Sequence, residues 1–335
     1  MYWIMFSKIL YLLSAGYFVS VIYKNYNLLG SIPRELSKAS FLLIVLAILL
    51  QVVKYLVLAY NFYINFNKTG VNFKYVETLK ATFVYIYVCV ATPFIGAGGL
   101  LAFVNYAGHK RVSKIKVAAG SFLALLADYL GFFIVTIFSL IFFKSTIEDF
   151  PVNYLVSMLV FGGILISIVF LSIFKREILI FIIKKFQNLA NFFSRNFHKK
   201  VHFDEEWAKR NVDLAHECFV DIKKDPYFYL KSAGIGLILH LLNIATFAVV
   251  GLSFSEKLNL SKLTSSYVVL NTLETISPTP NGIGIIESFV PEFMYSIGVD
   301  FANALVVVTI FRFIYFYIPL FIGFYFSYKI FNGKK

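Results

Sequence analysis

The chain has 335 residues, of which 59% are hydrophobic and 15% charged, with a formal net charge of +13. Soluble domains average about 25% charged residues, so this composition, at a mean hydropathy of +0.76, excludes an ordinary soluble domain. Repeated apolar runs predict an all-α polytopic membrane protein with about six full spans and two broken or re-entrant helical elements. The basic excess fits cytoplasmic loops facing an anionic inner-leaflet surface. No nucleic-acid-binding module accompanies it, so nucleic acid is not an expected partner. Cys89 lies in an apolar run and Cys218 in a polar one, giving neither a CxxC pair nor a disulfide framework.

In chain order, residues 3–23 read as a retained first span rather than a signal peptide. Lys8 interrupts the apolar run, and no clear small-residue cleavage site follows a short core. Loop 24–38 contains Pro33. A second span at about 40–63 holds Gln51 and Lys54. Lys54 either snorkels to an interface marked by Tyr55 and Tyr60 or lines a cavity. After the polar connector 64–75, an apolar helix at 76–91 meets Pro93 and the cluster Gly96, Gly98, Gly99; a second piece covers 100–107. Each piece falls short of the about 20 residues that a span needs. Residues 76–107 therefore read as a re-entrant hairpin or as a span broken in the middle.

The basic stretch 108–116 belongs in the cytoplasm by the positive-inside rule. The run 117–143 carries one charge, Asp128, near its centre. A short external loop at 144–151 leads to an uncharged span at 152–174. In the polar segment 175–230, Ile178, Ile182, Phe186, Leu189, Phe193 and Phe197 recur at helical spacing with basic residues on other faces. That pattern predicts an amphipathic helix on an anionic membrane surface. His198 and His202, near Asp204 and Glu205, lack the firm third ligand of a zinc site, and no metal or cofactor is expected. The span 232–252 holds His240 and Asn243, which read as an interhelical hydrogen-bond pair or as part of a proton relay. Segment 263–297 is a second broken element, and the last span, 301–328, carries Arg312 at its centre.

The two broken elements resemble each other. Thr92-Pro93 and Thr279-Pro280 each precede glycines; Gly108 and Gly298 then open a short turn before a span with one central charge, Asp128 or Arg312. With 108–116 and 175–230 both cytoplasmic, one element enters from the cytoplasm and the other from outside. That is an inverted-topology repeat, whose interface is where transporter sites lie. Both termini fall in the cytoplasm. The basic loop 24–38 then lies outside, against the charge rule.

The stretch Pro278-Thr279-Pro280-Asn281-Gly282-Ile283-Gly284-Ile285-Ile286-Glu287, followed by Arg312-Phe313-Ile314-Tyr315, resembles the signature of the lysylphosphatidylglycerol synthase transmembrane-region family, also called the flippase-like domain. Members show Pro-x-Pro-Gly-Gly-x-Gly-x-x-Glu and an aromatic-flanked arginine in the last span; here Asn281 replaces the first glycine. Pro93, Gly98, Gly99, Gly108 and Asp128 match the family's first half in order and rough spacing. The charged residues that often follow its first Gly-Gly are replaced by Leu100, Leu101 and Ala102. The resemblance implies a single flippase-like membrane domain over 1–335. Its first half is about 1–174 with a broken element at 76–107, its cytoplasmic amphipathic loop 175–230, and its second half 231–335 with a broken element at 263–297. It also implies movement of an anionic or aminoacylated phospholipid, such as lysyl-phosphatidylglycerol, across the cell membrane. Well-known members carry a fused soluble aminoacyltransferase; that domain is expected to be missing from a chain ending at Lys335.

Moving a head group across a bilayer requires hiding charge from hydrocarbon, where an ionised side chain costs about 2.5–3.5 kcal/mol on insertion scales. Broken helices present N–H groups and positive helix ends to a phosphate. The candidate lipid-binding residues are therefore Pro93, Gly98 and Gly99 at the first break and Pro280, Gly282 and Gly284 at the second. Arg312 is expected to pair with a phosphate or to serve as structural counter-ion of Glu287, Glu274 or Asp128. Glu274 and Glu287 suit an amino group or a proton; Asp128 and Lys54 complete the set. The substrate is then a membrane phospholipid or a polyprenyl-phosphate-linked lipid. Two other classes remain open at this point. One is a membrane-embedded transferase acting on lipid-linked substrates, although no Asp-x-Asp pair or nucleophile–base arrangement is evident. The other is a partner subunit that anchors a separate lipid synthase through 175–230.

Overall fold

The computed structural model describes residues 39–91, 97–143, 212–219, 225–254, 259–277 and 279–331, with isolated positions elsewhere. The expected span 3–23, most of loop 24–38, nearly all of span 152–174, most of the amphipathic segment and Pro93 lie outside the described residues.

All regular structure among the described residues is helical. In chain order the elements are α1 (Phe41–Lys68), α2 (Tyr75–Ala91), α3 (Ala97–His109), α4 (Lys114–Phe143), α5 (Pro226–Ser253), α6 (Leu260–Ile276), a 3-10 turn (Pro280–Gly282), α7 (Ile286–Ser296), α8 (Phe301–Arg312), a π-helical turn (Phe313–Tyr317) and α9 (Ile318–Phe331). Among the described residues, four stretches are long and apolar enough to cross a membrane: α1, α4, α5, and the α8–π–α9 series. These are four of the six expected full spans; the other two are 3–23 and 152–174. The two expected broken elements are pairs of short helices, α2 with α3 and α6 with α7, and none of the four reaches spanning length.

Local chemistry sets the helix ends. Asp225 accepts from Phe228 N at the start of α5, with Pro226 at the first helical position. Asn259 caps α6 and Asp300 caps α8 in the same way. The α7–α8 turn closes with Gly298 at φ 79°, Gly298 N donating to Tyr295 O and Val299 N to Met294 O. The α3–α4 turn repeats this bonding one half earlier, Arg111 N to Gly108 O and Val112 N to Ala107 O. Its left-handed residue is Arg111 at φ 55°; Gly108, which the sequence pairs with Gly298, is still helical.

α5 is the hub of the packing, lying against α1 and α4. It meets α4 backbone to backbone: a Cβ on Gly236 would stand 1.9 Å from the Ala127 carbonyl oxygen, and one on Gly131 would stand 2.1 Å from the Gly236 carbonyl carbon. Small residues at such a crossing replace the hydrophobic drive that is missing between helices in lipid. One core cluster joins α5, α6, α7 and α8 through Phe247, Tyr267, Val290, Met294 and Phe311. An aromatic cluster of Phe62, Phe66, Phe73, Phe103 and Tyr106 joins α1, α3 and the α1–α2 connector. Phe41, Leu49, Val53, Ile141, Leu241 and Phe321 point outward, as expected of helices facing lipid.

Candidate functional site

Between these helices lies a cavity of about 170 Å3. At ~30 Å3 per water it holds a few waters or a head-group fragment, not a whole lipid. Two carboxylates, a lysine and a histidine reach its wall: Asp128 from α4, Glu274 from α6, Lys54 from α1 and His240 from α5. Asp128, Lys54 and His240 sit near the middle of helices of spanning length. The α4–α5 glycine crossing is what allows Asp128 and His240 to meet. His240 Nε2 is 3.0 Å from the Asp128 carbonyl oxygen and 3.5 Å from its carboxylate. A carbonyl only accepts, so Nε2 carries the proton and Nδ1 accepts from the Tyr267 hydroxyl at 2.6 Å. Tyr267 in turn accepts from Asn243 Nδ2 at 3.1 Å, and Gln51 Nε2 reaches both Asn243 and Thr246. The expected His240–Asn243 pair is therefore two arms of one network centred on Tyr267, linking α1, α5 and α6.

The second break forms one end of the cavity. α6 stops at Ile276, and Ser277 Oγ bonds Thr279 Oγ1 at 2.8 Å. Three left-handed residues follow: Asn281 at φ 51°, Gly282 at φ 70° and Gly284 at φ 83°. The chain thus turns sharply from Pro280 into α7, where Glu287 Oε2 accepts from Gly284 N at 2.8 Å. Asparagine tolerates the left-handed region better than other non-glycine residues, which accounts for Asn281 standing where the family motif has glycine. Its side chain adds a bond that glycine cannot make, Nδ2 to Glu274 Oε1 at 2.7 Å.

Arg312 locks this turn. Its Nε donates to Glu287 Oε1 at 3.0 Å, one Nη donates to the Asn281 carbonyl at 3.0 Å, and its guanidinium lies 4.6 Å from the Phe316 ring centroid. The side chain is fully buried and is not among the cavity-lining residues. Two of its nitrogens are committed to the break and the third, one Nη, is buried without a partner; set back from the cavity wall, the side chain has the geometry of a structural counter-ion rather than of a phosphate clamp. Glu287 is held in the same pair and Gly282 and Gly284 shape the turn. Gly99 packs against Tyr85 and Cys89, and Gly98 lies in α3.

Lys54 departs from the snorkelling alternative. It is 7% exposed, and its ammonium lies 4.3 Å from the Tyr55 ring centroid and 4.7 Å from that of Tyr315. Tyr55 is buried too, while Tyr60 faces outward. The Tyr55 hydroxyl donates to the Tyr315 carbonyl, and the Tyr315 hydroxyl donates to Glu274 at 2.8–3.0 Å. Tyr315 sits in the π-helical turn, a deviation frequent at functional sites. Sequence reasoning missed both tyrosines as site residues. The one available signal was that Tyr315 follows Arg312 by three positions in the signature.

Against known proteins, no curated protein matches the chain. The family model of the lysylphosphatidylglycerol synthase TM region matches residues 9–323. Four apolar spanning helices, a break shaped by Asn281 and two glycines, and an Arg312–Glu287 lock that explains the signature all agree with that match, and the chain belongs to the lysylphosphatidylglycerol synthase TM region family.

Proposed function

We propose that this membrane protein, linked by its family to lipid metabolism, is a flippase that moves the head group of a phospholipid or polyprenyl-phosphate lipid through the α1–α4–α5–α6 cavity. The supporting observation is that Lys54, Asp128, His240 and Glu274 converge there from four different helices. Ionisable groups within spanning segments mark substrate or ion pathways by default. A cavity of this size accepts a fragment of a head group and leaves the acyl chains in lipid. In this reading the lipid leaves unaltered, the plasma membrane is its site of action, and both termini are cytoplasmic. The two broken elements belong to halves of opposite topology; the matching bonds at the α3–α4 and α7–α8 turns support the repeat. A separate synthase supplies the lipid, and the basic excess holds the cytoplasmic face to an anionic leaflet.

The test is a liposome assay on purified protein with labelled lipids of several head-group classes, each recovered and checked for chemical change. Wild type is expected to move one class unchanged. Leu125→Trp, which fills the cavity without touching a charge, is expected to slow movement about tenfold, a barrier increase of about 1.4 kcal/mol. Folded wild-type protein that moves no lipid, or that returns a modified one, overturns the reading.

A further inference from the structure

The charges around the cavity are not equally satisfied. Glu274 accepts from Tyr315 and Asn281. His240 is bonded on both ring nitrogens. Lys54 has three donors and meets no hydrogen-bond acceptor among the described residues; two aromatic faces are its close neighbours. A buried ammonium without an acceptor is costly, and lysine is otherwise among the residues least often buried. Aromatic faces compensate only in part. They also fix the ammonium in one place, because both rings are tied to other groups: Tyr315 to Glu274, and Tyr55 to the Tyr315 carbonyl. Lys54 is a cation held in position with its donors open.

We infer that Lys54 is the docking residue for a phosphodiester oxyanion of the ligand that enters this cavity. The inference rests on the reading of the cavity as a lipid head-group site and deepens it by naming the contact. The carboxylates of Asp128 and Glu274 line the same space. They oppose any anion that Lys54 attracts, and oppose a dianionic monoester more strongly than the single charge of a phosphodiester. Arg312 keeps one unpartnered Nη, but it is fully enclosed and does not line the cavity, which excludes it from this role.

The experiment uses the full chain. In detergent, the probes are dihexanoyl-phosphatidylglycerol and, separately, sodium phosphate, read as shifts in Tm; in liposomes, the readout is movement of labelled phosphatidylglycerol. Wild type is expected to gain Tm with the lipid and not with phosphate. Lys54→Met is expected to equal or exceed wild type in ligand-free Tm, to lose the lipid-induced shift, and to move lipid about tenfold more slowly. Lys54→Arg is expected to keep part of both. Should Lys54→Met not fold, Lys54→Gln is read in its place. The inference is overturned by a full lipid-induced shift in Lys54→Met, by a wild type that shows no shift with the lipid, or by an equal shift with phosphate alone. A ligand-free Tm of Lys54→Met well below wild type overturns it too, since Lys54 would then be a structural cation. A wild type that binds the lipid through Lys54 and moves none leaves the docking contact intact and removes the transport reading. A wild type that moves lipid as fast as Lys54→Met does the reverse.

Discussion

Among the described residues, two cations lie buried near the middle of spanning stretches, and the fold treats them in opposite ways. Arg312 is fully enclosed away from the cavity, bonded to Glu287 and the Asn281 carbonyl beside the Phe316 ring, with one Nη left unpartnered. Lys54 opens into the cavity between two tyrosine faces with no acceptor among the described residues. The difference follows from side-chain chemistry. A guanidinium is planar and always charged, and it binds a carboxylate and a carbonyl at fixed angles; an ammonium is a compact point charge with rotatable donors. The first suits a lock on a broken helix. The second suits an exchangeable contact.

The sharpest way to break this comparison is to remove each cation and measure stability. Arg312→Met leaves Glu287, largely enclosed and still bonded to Gly284 N, without its counter-ion, and the Asn281 carbonyl without its donor. Losing one partner of a buried pair costs about 3–5 kcal/mol, so the folded yield and Tm are expected to collapse. The double variant Arg312→Met, Glu287→Gln keeps an acceptor for Gly284 N and is expected to recover part of the loss. Equal Tm values for Arg312→Met and Lys54→Met would erase the distinction.

A second effect acts on the cavity side. Gly236→Ala places a methyl group 1.9 Å from the Ala127 carbonyl oxygen, so α4 and α5 must separate. Overpacking costs about 1–3 kcal/mol, and here it also pulls Asp128 from His240. Gly234, two residues earlier, has nothing within 4 Å of the same methyl. Gly234→Ala is expected to be neutral or to stabilise α5 by up to about 1 kcal/mol through helix propensity. Similar Tm values for the two variants would show that the crossing is looser than this geometry requires.

A smaller effect separates the backbone of the break from its side chains. Asn281→Gly keeps the left-handed turn and the carbonyl that Arg312 uses, losing one side-chain bond to Glu274. Asn281→Ala loses the same bond and adds about 1–2 kcal/mol of left-handed strain. Thermal melts are expected to rank wild type, then glycine, then alanine. An alanine variant as stable as the glycine one would place the left-handed turn elsewhere.

Much of this architecture was legible because hydrophobic length is a strong signal. Spans at 40–63, 117–143, 232–252 and 301–328 correspond to α1, α4, α5 and the α8–π–α9 series, and both breaks fall where proline and glycine interrupt apolar sequence. The site was less legible. Arg312, Glu287, Glu274, Asp128 and Lys54 stand out as charges among apolar residues, but sequence does not say which of them pair. Whether Arg312 meets Glu287 or a phosphate depends on the three left-handed residues that fold Glu287 back toward it. The bracketing of Lys54 depends on a π-helical turn, and no residue type in Phe313–Tyr317 encodes that turn. The α4–α5 approach depends on which two glycines face each other, a pairing that a single sequence leaves open.

The smallest effect comes from an ion pair set at the rim. Lys68 Nζ lies 2.6 Å from Asp225 Oδ2, with about a third of each side chain exposed at 30% and 34%. Asp225 Oδ1 also caps α5 by accepting from Phe228 N at 3.0 Å. The Lys68 hydrogen bond, and after it the Phe228 N–H, hold the Asp225 carboxyl below its ordinary value. A depressed carboxyl stabilises the fold above its unfolded value and loses that contribution as pH falls through the folded one. The stabilisation is therefore complete at neutral pH and fades on the acid side of the ordinary aspartate range. Water and salt screen a pair this exposed, so the change should be smaller than any above and should shrink in high salt. Asp225→Asn keeps the cap and removes the charge. Its Tm is expected to lie slightly below wild type at neutral pH and to converge with it in acid. A gap that widened in acid would reverse the sign and assign the pH response to another group.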